Sequence, residues 1–190
     1  MNHQTSHQPL DLRFGGVTVR DAAEADFEAI AALTYASYVE AGHIPADDDY
    51  VAQLLDVPAR AQGPGRLVVA ELDGAVAGST VLLTGEMDMA EVAHPGEFEF
   101  RMLGVAPAFQ RRGVGRALVA TAENHARALG CSAIVITTMA SMTDAHQLYR
   151  ACGFERRPDR DWSLGERGWL EPGERDETFL AFVHPLAPRD

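Results

Sequence analysis

The stretch Gln110-Arg111-Arg112-Gly113-Val114-Gly115-Arg116-Ala117 is where this chain could do chemistry. It links an apolar, strand-like run at 97–105 to a helical pattern at 114–129. The first N–H groups of a helix lack intrahelical acceptors, and the helix dipole adds partial positive charge there. Glycine lets an oxygen approach the backbone without meeting a Cβ. Two glycines and three arginines at such a point suit an anionic phosphate group. An isolated Gly-x-Gly would read as a turn and no more; the strand before it and the arginines around it favour the anion site.

Other phosphate signatures do not fit. Leu118 stands where a dinucleotide fingerprint needs its third glycine, and the chain has no lysine to complete a P-loop. Metal and disulfide chemistry is not signalled either. The two cysteines, Cys131 and Cys152, match no metal spacing, and the seven histidines are scattered along the chain. Cys152 reads as a small buried residue rather than a nucleophile, since no base is signalled near it.

Composition sets the outer bounds. The 190 residues suffice for one domain with a sizeable core, and 46% hydrophobic with 23% charged residues is an ordinary globular balance. The net charge is −12, and all 16 basic residues are arginine. Such a chain disfavours nucleic acid and anionic membranes; the charge first of all suits solubility, and it would also attract a cationic substrate. Residues 110–116 carry three positive charges and no negative one, a local contrast that points to an anionic ligand. No apolar run reaches the roughly 18 residues of a membrane span. The first twelve residues are polar and lack the pattern of a secretory signal. We expect a disordered tail at 1–15, a single domain at 16–190 and a cytoplasmic location.

Several elements must position the turn. Residues 17–20 read as a strand, and 27–38 as a helix with Asp26 at its N-cap and Gly42 past its end. A second, shorter helix is expected at 45–55. Strands at 66–72 and 75–83 flank Asp73-Gly74, a hairpin turn signal. Then come a strand at 97–105, a helix at 114–129 ended by Gly130, a β-branched strand at 132–137, a helix at 144–152 ended by Gly153, a long loop at 159–176 and a last strand at 178–183. Strand–helix–strand from 97 to 137 implies a parallel crossover, while the hairpin implies antiparallel pairing. The expected fold is α/β, a mixed and mostly antiparallel sheet flanked by helices.

Three motifs in this order carry a resemblance. Glu99-Phe-Arg-Met-Leu-Gly-Val105, then Gln110-Arg-Arg-Gly-Val-Gly115, then Leu148-Tyr149-Arg-Ala-Cys-Gly153-Phe154 resembles the GNAT superfamily of acyl-CoA-dependent N-acyltransferases. The signature Gln/Arg-x-x-Gly-x-Gly/Ala is complete at 110–115. The element order agrees with the family fold from about 17 to 183.

The resemblance implies acetyl-CoA as co-substrate and no metal. The backbone of Gly113, Val114 and Gly115, with Gln110, Arg111, Arg112 and Arg116 around it, would hold the pyrophosphate. Leu103, Gly104 and Val105 would pair with the pantetheine arm like an added strand, and the N–H of Leu103 or Val105 would meet the oxyanion. Tyr149 matches the family's general acid for the leaving thiolate. An amine must lose a proton before it attacks a thioester, and Glu99 stands where some members keep their base. Strand alternation puts Glu99, Arg101 and Leu103 on one face and Phe98, Phe100 and Met102 on the other. An ion pair between Glu99 and Arg101 is the competing reading.

Two departures bear on the acceptor. Met142 stands where many members carry asparagine, and Ile136-Thr137-Thr138 occupies the region where peptide α-amine acetylating members carry glutamate. The implied function is acetyl transfer to a primary amine of a small molecule or peptide by direct attack in a ternary complex. A non-catalytic acyl-CoA sensor is the alternative. A homodimer is compatible with the family, and the acidic 47–49 run is compatible with a cationic acceptor. Arg150, Arg156, Arg157 and Arg160 form the other basic cluster, either near the nucleotide phosphate or simply solvated.

Overall fold

The computed structural model describes residues 9–170 and 176–187. In chain order its strands are β1 Asp11–Phe14, β2 Val17–Asp21, β3 Arg66–Leu72, β4 Ala75–Thr84, β5 Phe98–Val105, β6 Ala133–Met139, β7 Glu155–Arg156, β8 Trp162–Ser163 and β9 Thr178–Pro185. The α-helices are α1 Phe27–Tyr35, α2 Tyr50–Leu55, α3 Val57–Gln62, α4 Val114–Leu129 and α5 Thr143–Ala151. One sheet runs β1-β2-β3-β4-β5-β6-β9-β7, with β8 paired to β9. Every pairing is antiparallel except β5 with β6, which are joined by the expected crossover through α4. The Asp73-Gly74 turn closes the β3–β4 hairpin as its residue types require.

Helices cover both faces of the sheet. On one, α4 lays Ala117, Leu118, Ala122 and Ala126 against Val68, Leu82, Phe98 and Phe100, and Tyr149 and Phe154 complete the cluster. That helix is amphipathic with period 3.6, and it stops at Gly130, whose φ of +75° is easy only for glycine. On the other face, Ile30 of α1 and Val57 of α3 pack on Leu67, Val69, Val81 and Leu83. Asp26 does sit at the N-cap of α1, but its carboxylate turns back to the Ala23 N–H at 2.7 Å and a bidentate Arg20.

Some expectations fail for local reasons. Residues 11–14, expected within a disordered tail, form β1 against β2 across the Gly15-Gly16 turn; the polar start hides a strand of alternating burial. Residues 1–8 lie outside the described part. The helix expected at 45–55 starts only at Tyr50 and is followed at once by α3, with Pro58 in its first turn and Asp56 capping the Ala59 N–H at 3.0 Å. The expected loop at 159–176 contains β8, where Trp162 stacks on Phe179 at 4.3 Å.

The strand that matters most departs from ideal alternation. In β5, Arg101 lies opposite Val81 and Gly104 opposite Ser79, so Met102 and Leu103 together face Thr80. This is a β-bulge, and Met102 takes a φ of +55° to make it. The bulge inverts the phase of the strand. Leu103 and Val105 join Phe98 and Phe100 on the α4 face, while Met102 packs with Ile44, Leu54 and Met139 on the other. Strict alternation puts Leu103 beside Glu99 and Met102 beside Phe100; the extra residue reverses both placements.

Candidate active site

β5 and β6 pair only at Phe98–Ile134 and Glu99–Val135. Beyond Glu99 no parallel pairing joins them, so the β6-facing edge of β5 has no strand partner among the described residues. A strand edge in that state can accept an extended ligand arm. The cleft between them is lined by Glu99, Arg101, Leu103, Thr138, Met139 and Tyr149, with Tyr38, Tyr50 and Glu91 closing it from the helical side and the β4–β5 connection.

The glycine–arginine turn follows directly. Arg111 and Gly113 have φ of +59° and +87°, and α4 begins without a capping side chain. The backbone N–H groups of Arg111, Arg112 and Gly113 donate to no protein acceptor among the described residues. Orphaned donors on left-handed backbone at a helix start form an anion-binding concavity. The turn therefore fits a pyrophosphate by its own geometry. Gln110, Arg111, Arg112, Gly113 and Arg116 are exposed, whereas the Val114 side chain is buried.

Not all glycines and arginines there do what their types suggest. A Cβ on Gly115 would come within 2.9 Å of Leu148 Cδ2, so this glycine lets α4 approach α5. A Cβ on Gly104 would meet Leu33 and Ser37 at 3.0 and 3.1 Å, so it makes room for α1. Arg112 donates to Asp73 at 2.6 Å. Among the described residues, Arg111 and Arg116 have no ion-pair partner. The second basic cluster is largely neutralised: Arg156 pairs with Asp161, Arg157 with Asp159 and Arg160 with Glu97.

Tyr149 projects from α5 into the cleft, only 6% exposed, with its ring edge-on to Phe100. Its hydroxyl makes no hydrogen bond among the described residues, and burial holds its pKa well above the usual tyrosine value. It remains a proton donor throughout the ordinary pH range.

Glu99 is 1% exposed. Its Oε2 accepts from the N–H groups of Glu91, Val92 and Ala93 at 3.1, 3.0 and 2.9 Å. The Arg101 Nε stands 3.8 Å from Oε1. This carboxylate folds the β4–β5 connection around itself and brings Glu91 to the cleft. Glu91 carries no signal in the sequence, because it lies in an irregular loop with no motif. Its carboxylate is bonded by the Arg101 guanidinium, and burial, aided by the charge of Glu99, pushes its pKa up. Tyr38 and Tyr50 are likewise invisible in the sequence, their spacing being that of ordinary helical core. Among the described residues, no group of three or more His, Cys, Asp or Glu could hold a metal ion.

Comparisons with known proteins bear on the family and the fold. The family model of the acetyltransferase (GNAT) family matches residues 27–154. An aminoglycoside N(6')-acetyltransferase type 1 from Stenotrophomonas maltophilia is 32% identical over 138 residues, 73% of this chain and 86% of that protein. A GNAT-family acetyltransferase from Staphylococcus aureus Mu50 superposes with a TM-score of 0.66 at 13% identity, over 90% of this chain and 99% of the other. An acetyltransferase structure from Salmonella typhimurium with its cofactor acetyl-CoA superposes with a TM-score of 0.62 at 21% identity, over 92% and 96%.

Proposed function

The chain belongs to the GNAT family of acetyl-CoA-dependent N-acetyltransferases, and we propose that it acetylates a primary amine of a cationic small molecule or peptide by direct attack in a ternary complex. One observation carries the reading: a tyrosine hydroxyl without a partner among the described residues and a pair of carboxylates line the same cleft, which opens beside the orphaned N–H groups of the turn.

Acetyl-CoA supplies the thioester. The Arg111, Arg112 and Gly113 N–H groups hold its pyrophosphate, with Arg111 and Arg116 adding charge. The Leu103–Val105 backbone on the free edge of β5 orients the pantetheine arm and offers an N–H to the oxyanion. Tyr149 protonates the departing sulfur and is restored by a proton that the tetrahedral nitrogen loses. The acidic wall built on Glu99 removes the first proton from the ammonium.

The acceptor's charge follows from the cleft. Two carboxylates face one guanidinium there, and the rings of Tyr38 and Tyr50 add apolar walls. Exposed Asp47, Asp48 and Asp49 precede Tyr50. The relative from Stenotrophomonas acetylates an aminoglycoside, a sugar bearing several amines. We place the reaction in the cytoplasm, where acetyl-CoA is formed and spent.

The test is thiol release from acetyl-CoA with spermidine, an aminoglycoside, lysine and a peptide with a free α-amine. Turnover of at least one amine is expected. A thermal shift with acetyl-CoA but no turnover of any amine would replace the enzyme with a sensor.

A further inference from the structure

The two carboxylates of the cleft are not equivalent. Glu99 is enclosed, and its Oε2 already accepts three backbone N–H groups. Such an oxygen has no lone pair left to offer an ammonium proton. The Glu99 Oε1 shares the Glu91 N–H at 3.3 Å and faces the Arg101 Nε at 3.8 Å. Glu91 is the more open of the two. Its side chain is 22% exposed. Its Oε1 is tied to the Arg101 guanidinium, while its Oε2 has no hydrogen-bond partner among the described residues. Glu91 also lines a second, outer groove with Val92, His94, Arg160 and Arg167, so a proton received on the cleft side has a way to water.

We propose that Glu91 is the group that takes the acceptor's proton and that Glu99 is a positioning residue acting through it. This rests on the acetyl-transfer reading and assigns its first step. Glu91 Oε2 receives one proton from the ammonium, and the neutral amine then attacks the thioester carbonyl. The N–C bond forms as the C–S bond breaks. The nitrogen's second proton ends on the sulfur by way of Tyr149, and Glu91 releases its own proton through the outer groove. Glu99 holds residues 91–93 by their N–H groups, and Arg101 fixes the Glu91 carboxylate by one oxygen, leaving the other to face the substrate.

The chemistry has a distinctive signature. A base with a carboxyl pKa above its usual range produces an acid limb in kcat/KM. In Glu91→Gln that limb should vanish, and kcat/KM at pH 7 should fall by about 100-fold, as for loss of a general base. The rate should then climb with pH toward the amine's own pKa, because free amine becomes available in solution. A weakly basic probe, trifluoroethylamine, is neutral near pH 7, and with it the variant should lose less than about tenfold, the base being no longer required. Acetyl-CoA affinity should stay within about twofold of wild type, since Glu91 is remote from the turn. In Glu99→Gln the amide still accepts but also presents donors to the loop. The thermal midpoint should drop and KM for the amine should rise, while the acid limb persists.

The assays use the full chain with whichever amine of the panel it turns over. A limb that keeps its wild-type position in Glu91→Gln instead of moving to the amine's own pKa, or that disappears only in Glu99→Gln, overturns the assignment while leaving acetyl transfer intact. Wild type inactive on every amine is a different failure and removes the underlying reading. Should Glu91→Gln unfold, Glu91→Asp decides instead: a shortened base keeps the limb but loses rate, and the absence of any rate loss overturns the proposal.

Discussion

Arg101 clamps Glu91. Its Nη2 bonds the Glu91 carboxylate, and its Nη1 holds the Met89 carbonyl at 2.8 Å, so one guanidinium fixes both the side chain and the backbone of the β4–β5 connection. The arginine reaches this loop from β5, two residues past Glu99, on the face the bulge has not yet inverted. Its positive charge also opposes the burial that raises the Glu91 carboxyl.

Replacing Arg101 by glutamine should therefore raise the Glu91 pKa further. The sign is fixed: without the guanidinium the protonated, neutral carboxyl is favoured, so the base form requires a higher pH. Glu99, Arg167 and Tyr50 remain around it, and Glu99, whose charge effect exceeds that of Arg167, pushes in the same direction. The acid limb of kcat/KM should move alkaline, with the activity lost on its acid side restored as the pH rises. A limb that stays put in Arg101→Gln would show that another group titrates.

At the turn, Asp73 holds Arg112, one of the arginines proposed to meet the phosphate. Their contact of 2.6 Å is exposed on both sides, where an ion pair contributes at most about 1 kcal/mol. Asp73→Asn should release the arginine, tightening coenzyme A binding a few-fold at low salt with the gain shrinking as salt rises. Arg112→Ala should weaken binding by a similar factor. Calorimetric titration of coenzyme A at two ionic strengths reads both; equal affinities in all three proteins would leave Arg112 outside the binding site.

Gly113 tests the backbone. Its φ of +87° is outside the range a side chain accepts comfortably, although a Cβ at this position would meet nothing within 4 Å. Gly113→Ala therefore carries strain rather than a clash, about 1–2 kcal/mol. If the turn relaxes to relieve that strain, its N–H groups turn away from the phosphate. We expect coenzyme A affinity to fall about tenfold, with the protein still folded by circular dichroism. Gly130→Ala, which sits at the other end of α4 with a φ of +75°, supplies the control: comparable loss of stability and no change in affinity.

Legibility from sequence follows how local the cause is. The hairpin at Asp73-Gly74, the span of α4 and the left-handed turn before it are written in a few adjacent residues, and each is found where those residues imply. The second short helix is blurred because the acid-rich start at 47–49 and Pro58 set its limits through caps and turns rather than through periodicity. The bulge at Met102 is unreadable, since a methionine at φ +55° follows no local propensity of its sequence. Glu91 is hidden for a related reason. It enters the cleft because a buried carboxylate eight residues later gathers the loop's N–H groups and Arg101 clamps its side chain.

Tyr149 allows the cleanest separation of chemistry from folding. Its ring packs among Phe100, Phe154 and Phe182, and its hydroxyl has no partner among the described residues, so Tyr149→Phe removes an oxygen without opening a cavity. The thermal midpoint should shift by no more than about 2 °C. The affinity for acetyl-CoA should also hold. If the hydroxyl protonates the leaving sulfur, kcat should fall by about 100-fold. Burial keeps the wild-type hydroxyl protonated well past its usual pKa of about 10, so no basic limb from this residue should appear below that pH. Retention of full kcat in Tyr149→Phe would assign the sulfur's proton to water, and a large fall in thermal midpoint would mark the hydroxyl as structural.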